Sequence, residues 1–112
     1  MSTQKTVRQQ FDAVEQSEAL RLDGDKAEQI IDALNTDIAN AYVMYHQIKK
    51  HHWNVEGAEF NDIHELLGEA AETLEEGADE IAERAQAIGG VPIAGPTSQE
   101  DHATIELEGE DV

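Results

Sequence analysis

Two histidines twelve residues apart, His52 and His64, are followed by two carboxylates four residues apart, Asp79 and Glu83. Imidazole nitrogen and carboxylate oxygen together suit iron, manganese or zinc. At about 100° per residue, Asp79 and Glu83 share one helical face, and Glu72 projects within about 20° of Asp79. Glu65, Gly68 and Glu76 fall on the same stripe, with His64 at its edge. A line of carboxylates beside an apolar seam repels itself, and a bound cation relieves that repulsion. Taken singly, each residue has a plain structural reading. Asp79 and Glu83 fit a solvated acidic face, His52 or His64 a hydrogen-bonded core histidine, and Trp53 an anchor at a helix end. Their joint spacing is what points to a metal.

The elements that must position these residues are helical. Asp25, with Glu28 three residues on, reads as a variant capping box opening a helix over about residues 26–53. Ile31, Ile38 and Tyr45 recur every seven residues, with Leu34, Ala41 and Ile48 between them. That is an a/d stripe suited to bundle packing. One further heptad step from Tyr45 reaches His52, on or near the buried seam. A second helix, over about residues 60–88, carries the heptad Phe60, Leu67, Leu74, Ile81 and Ile88. Its flanking line Ala71, Ala78 and Ala85 is small and permits close helix approach. Gly89-Gly90 ends it, and Pro92 prevents resumption. The short connection makes the two helices antiparallel neighbours.

The flanks read differently. Residues 1–24 read as a polar, flexible tail with a short helical tendency around Phe11 to Leu20. Residues 91–112 read as an acidic loop or tail outside the core, with Pro92, Gly95-Pro96 and Thr97-Ser98 as loop signals. Two helices alone remove little surface from water, so a partner or more chain is expected.

The formal net charge of the 112 residues is -18. Lysine is confined to Lys5, Lys26, Lys49 and Lys50. Such a surface repels itself at ordinary ionic strength. In molar salt the Debye length falls to roughly 3 Å and the repulsion is screened. The composition therefore fits a high-salt cytoplasm. Cysteine is absent, which excludes disulfide and thiolate chemistry. No apolar run spans a bilayer or follows the N-terminus as a signal peptide would, so the expected location is cytoplasmic.

Ordinary di-iron bundles use a Glu-x-x-His pair on a helix. No histidine here has a glutamate three residues before it. Any metal site must be assembled differently. Lys50-His51-His52-Trp53-Asn54-Val55-Glu56-Gly57-Ala58-Glu59-Phe60, then His64-Glu65-Leu66-Leu67, Asp79 to Glu83-Arg84, and Gly89-Gly90-Val91-Pro92 resemble the Dps-type mini-ferritins over roughly residues 26–93. The acidic character looks most like the haloarchaeal branch.

The resemblance implies an all-α, ferritin-like four-helix bundle, of which this chain carries the first two antiparallel helices and the start of a long connection. It implies a homo-oligomer, a dodecamer for a full subunit, with a dimer open to a chain of this length. It implies a ferroxidase that oxidises Fe(II) with hydrogen peroxide and sequesters the iron. The family pattern puts His52, His64, Asp79 and Glu83 in metal-ligand positions at a site between two subunits. His64 would face Asp79 and Glu83 of the neighbour, with His52 from one of the two chains. Many members carry an aspartate four residues after the second histidine, where this chain has Gly68. Glu72, one turn on, is the nearest replacement.

Other functions remain open. Two hairpins could pair as a non-enzymatic dimerisation module with core histidines, or the chain could be an inactive, truncated ferritin-like fragment. Direct DNA binding is disfavoured. The N-terminal 24 residues set Lys5, Arg8 and Arg21 against Asp12, Glu15, Glu18 and Asp23, the opposite of a phosphate-binding arm.

Overall fold

The computed structural model describes residues 24–57 and 59–110. The expected N-terminal tail therefore lies outside the described residues, apart from Gly24. Helix α1 runs Gly24–Asn54, α2 runs Phe60–Ala87, and a short α3 runs Pro96–His102. At 1.5 Å per residue, the 31 residues of α1 span about 46 Å. Asp25 stands in the first turn of α1 and not at its cap, because the helix already includes Gly24.

α1 and α2 form an antiparallel hairpin. His52 meets His64 at the connected end, and Ile31 meets Gly90 at the open end. Gly57, with φ 118°, turns the chain between them, and its carbonyl accepts the Phe60 N–H at 3.2 Å. Gly89, with φ 102°, ends α2 in the left-handed region open to glycine. Its N–H reaches the Gln86 carbonyl at 3.1 Å, and the Gly90 N–H reaches that of Ala85 at 2.9 Å. These two bonds are a Schellman motif, which satisfies carbonyls orphaned at the helix end. A Cβ on Gly90 would lie 2.6 Å from Ile31 Cγ2, so the chain leaves α2 directly against α1.

On α2 the small line is buried more deeply than the heptad. The fully buried line is Ala71, Ala78 and Ala85. Leu67, Leu74, Ile81 and Ile88 are half-buried, and Phe60 is exposed. The alanines lie where the helices approach closest, while the larger heptad residues flank that line, incompletely covered by one neighbouring helix. On α1 the buried set is Ala27, Ile31, Asn35, Ile38, Ala39 and Val43.

Residues 91–110 are not a free tail. This corrects the sequence expectation of a segment outside the core. Ile93 is buried beside Ile38 and Ala39. The Asn35 amide, itself buried, donates to the Val91 carbonyl at 3.3 Å and accepts the Ile93 N–H at 3.1 Å. Pro96 opens α3 at a position where its missing N–H costs nothing. Beyond α3 the chain runs along α1 in the same direction. Asn40 and Thr104 exchange two hydrogen bonds, at 2.9 and 2.7 Å. Gln47 donates to the Glu106 carbonyl, and Lys50 to that of Gly109. His51 pairs with Glu108 at 2.8 Å.

Candidate metal centre

His52 lies in the last turn of α1, and His64 in the second turn of α2. The Gly57 turn folds these two positions face to face. Their rings stack with centroids 3.8 Å apart and planes 13° from parallel. Each ring holds the other residue's backbone: His52 Nδ1 is 2.6 Å from the His64 carbonyl oxygen, and His64 Nδ1 is 2.7 Å from that of His52. A carbonyl only accepts, so both Nδ1 atoms donate. In the neutral rings Nε2 then keeps its lone pair, the form that binds a metal. Backbone carbonyls are among the partners that fix the tautomer of a histidine. Phe60 covers His64, with ring centroids 5.2 Å apart. Both histidines are half-buried.

Gly68 lies one turn beyond His64 on the same face of α2. A Cβ there would stand 3.0 Å from His52 Cε1, 3.3 Å from Nδ1 and 3.7 Å from Nε2. The imidazole edge rests directly on the glycine. In the sequence Gly68 is only a missing ligand; its contact with His52 arises once α1 and α2 lie side by side.

The carboxylates lie elsewhere. Asp79 and Glu83 are exposed in the second half of α2, and Glu72 is exposed between them and the histidines. Among the described residues, no three histidine or acidic side chains of this chain come together as a metal-binding group. The structure thus joins His52 to His64 and leaves Glu72, Asp79 and Glu83 apart from them. Asp79 lines an open cavity of about 360 Å³ with Tyr42, His46 and Gln99, beside Ile38 and Ile93. Burial pushes the Tyr42 phenol above its usual range, and the negative charges of Glu75 and Asp79, then Tyr45, push it further. Tyr42 and Tyr45 meet edge to face at 5.9 Å. Neither Tyr42 nor His46 carried a sequence signal beyond its place in α1.

Trp53 is no buried anchor. It is 68% exposed, with the Lys49 ammonium 5.6 Å from its ring centroid. Phe60, Ile63 and Leu66 are also exposed at this end of the hairpin. No helix of the described residues is long and apolar enough to cross a membrane.

A long helical hairpin with a histidine pair at its closed end and carboxylates along its second helix belongs with the ferritin-like proteins. The family model for the ferritin-like domain matches residues 31–110, and the chain belongs to that family. Within it, the chain is 63% identical, over all its 112 residues, to the DNA protection during starvation protein of Halobacterium salinarum. The match covers 62% of that relative's length. The crystal structure of an archaeal Dps homologue from Halobacterium salinarum superposes with a TM-score of 0.88, covering 99% of this chain and 62% of that one. DpsC from Streptomyces coelicolor, 31% identical, gives 0.86 over 93% of this chain and 60% of its own. The chain thus spans about three-fifths of the length of these relatives. Its fold is the all-helical one of the Dps group, here as two long helices and the connection that follows them.

Proposed function

We propose that this protein binds and oxidises Fe(II) with hydrogen peroxide and sequesters the product, at a site shared by two chains. His52 and His64 of one chain supply imidazole nitrogen. Asp79 and Glu83 of a second supply carboxylate oxygen, and Glu72 assists. Iron is the substrate. Two Fe(II) ions give one electron each to peroxide, which takes up two protons and leaves as two waters. Oxygen ligands favour the ferric product. Consuming Fe(II) and peroxide together limits radical damage, a protective role exercised in the cytoplasm without direct contact with DNA.

The observation that carries this reading is the reciprocal histidine pair. Each Nδ1 is committed to a carbonyl, and each Nε2 lone pair is left for a metal. The separation of the carboxylates supports a second chain as their source. His64 and Asp79 are fifteen residues apart on α2, about 22 Å along the axis. The exposed Trp53, Phe60, Ile63 and Leu66 offer an apolar surface at the hairpin end for such pairing. Peroxide-driven Fe(II) oxidation, followed by absorbance of the ferric product, tests the function. A parent rate no faster than the protein-free control would overturn it.

A second reading has an observation of its own. No three candidate ligands meet within the described part of one chain, as a dimerisation module with core histidines would have it. In that case iron has no effect on either oligomeric state or oxidation rate.

A further inference from the structure

We infer that Trp53 of one chain inserts into the cavity beside Asp79 of a second copy, where Gln99 accepts its indole N–H. This rests on the shared-site reading given above and names the contact that brings the histidines of one chain to the carboxylates of the other.

Two side chains are left without cover or partner within one chain. Trp53, the only tryptophan, is 68% exposed. Gln99 is the opposite case. Its backbone N–H and carbonyl bond Gly95 and Ala103 at 2.9 and 3.0 Å. The residue is 6% exposed, yet its side-chain amide meets no partner among the described residues. Buried amides are ordinarily hydrogen-bonded, so this one calls for a group from outside the chain. Gln99 lines the same cavity of about 360 Å³ as Asp79, with Ile38, Ala82 and Ile93 in its apolar wall. That volume falls in the range of about 300–1,000 Å³ usual for pockets that take ring systems. An indole matches the lining, because it has an apolar body and a single N–H donor.

The chain's own Trp53 cannot fill the cavity. It lies eleven residues beyond Tyr42 on α1, about 16 Å along the axis. A second copy can. His46 borders both the cavity and the groove that contains Trp53 and Lys49. The projecting indole and the hollow therefore lie on one face of the hairpin. A two-fold interface uses the same patch on both partners, so it needs both features on that face. The charges agree. The Lys49 ammonium stands 5.6 Å from the Trp53 ring, with Lys50 next to it in sequence. Glu75, Glu76, Glu80 and Glu83 flank Asp79 along α2. An antiparallel pair sets the basic end of one hairpin against the acidic stretch of the other. His52 precedes Trp53, so docking the indole carries the imidazole toward Asp79 at both ends of the dimer.

The experiment uses the single tryptophan and the absence of cysteine. In molar salt, Trp53 emission and its quenching by acrylamide are followed as the protein is diluted through dissociation. The indole should be shielded and blue-shifted in the dimer and exposed in the monomer. Trp53→Ala should keep the parent's helicity and raise the dimer Kd at least about thirtyfold, the scale of a central tryptophan. Gln99→Leu removes the acceptor and should raise it about fivefold. Ala94 is exposed in the cavity wall. Chains with Lys49→Cys should therefore be joined by a short bismaleimide to chains with Ala94→Cys, and far less to one another. A dimer whose Trp53 is as exposed as in the monomer, or mixed chains that do not cross-link, overturns the docking and leaves the shared site standing. A chain that stays monomeric at every concentration overturns both. A dimer docked in this way that oxidises no iron overturns the iron reading alone.

Discussion

His52 and His64 each donate from Nδ1 to the other's backbone carbonyl, at 2.6 and 2.7 Å, across a ring stack of 3.8 Å. The pair closes the hairpin and prepares two lone pairs at once. Its members should therefore be separable from mere structural histidines by their effect on iron. His52→Ala should slow peroxide-driven iron oxidation by at least about tenfold, given that outer partners alone are worth 10–100-fold. His52→Gln tests the distinction further. It keeps a polar side chain at the hairpin end but removes the imidazole. Oxidation at the parent rate in both variants would refute His52 as a ligand.

Asn35 makes a different kind of prediction. Its buried amide uses both ends, on the Val91 carbonyl and the Ile93 N–H. Asn35→Leu leaves the Ile93 N–H buried without its acceptor. The expected loss is about 1–3 kcal/mol of stability, read by denaturant unfolding at fixed salt. Thr36→Val serves as the comparison, because the exposed Thr36 hydroxyl bonds the Asp32 carbonyl within α1. It should cost clearly less.

These two residues also mark what a sequence discloses. The hairpin was legible because its seven-residue period is sustained and Gly89-Gly90 with Pro92 stops the second helix. The strap was not. Asn35, Asn40 and Gln47 are ordinary polar residues on a helix, and their partners lie 56 to 64 residues away. Nothing local announces such a bond. The heptad pattern located the alanine line, but not that it would outrank Leu67 and Leu74 in burial. That outcome depends on how closely α1 approaches. His52 and His64 were legible as chemistry, yet their mutual bonds follow from the Gly57 turn, which only the folded chain aligns.

The charge sets a salt requirement. With a formal net charge of -18 and few cations, self-repulsion opposes the compact state. Helicity by circular dichroism should fall as salt is lowered and recover in molar potassium chloride. Helicity independent of salt would contradict adaptation to a high-salt interior.

Tyr42 gives an alkaline signature. Its phenol is held above the ordinary value near 10 by burial, then by Glu75, Asp79 and Tyr45. The unfolded chain therefore releases this proton first as pH rises. The stability this supplies is whole below pH 10 and is lost as pH climbs through the higher folded value. Tyr42→Phe should remove that part of the alkaline decline. Denaturant midpoints from pH 8 to 12 check it, and identical pH slopes in parent and variant would refute it.

The shared site yields the most decisive experiment. His52 and His64 sit together, while Asp79 and Glu83 lie farther along α2. If a second chain completes the site, ligand defects on different chains must complement. Prepare one protein with His64→Ala and another with Asp79→Ala and Glu83→Ala. Homodimers of the first lack a histidine at both sites, and homodimers of the second lack both carboxylates. In a mixed two-fold dimer, one site combines both defects. The other joins intact histidines of the second protein to intact carboxylates of the first. Neither protein alone should oxidise iron above about a tenth of the parent rate. The mixture, exchanged in molar salt, should recover oxidation in proportion to the heterodimer counted by native mass spectrometry. Exchange without recovery would place all the ligands within one chain, or remove the site altogether. The isolated hairpin geometry speaks against the first, because no such group forms among its described residues.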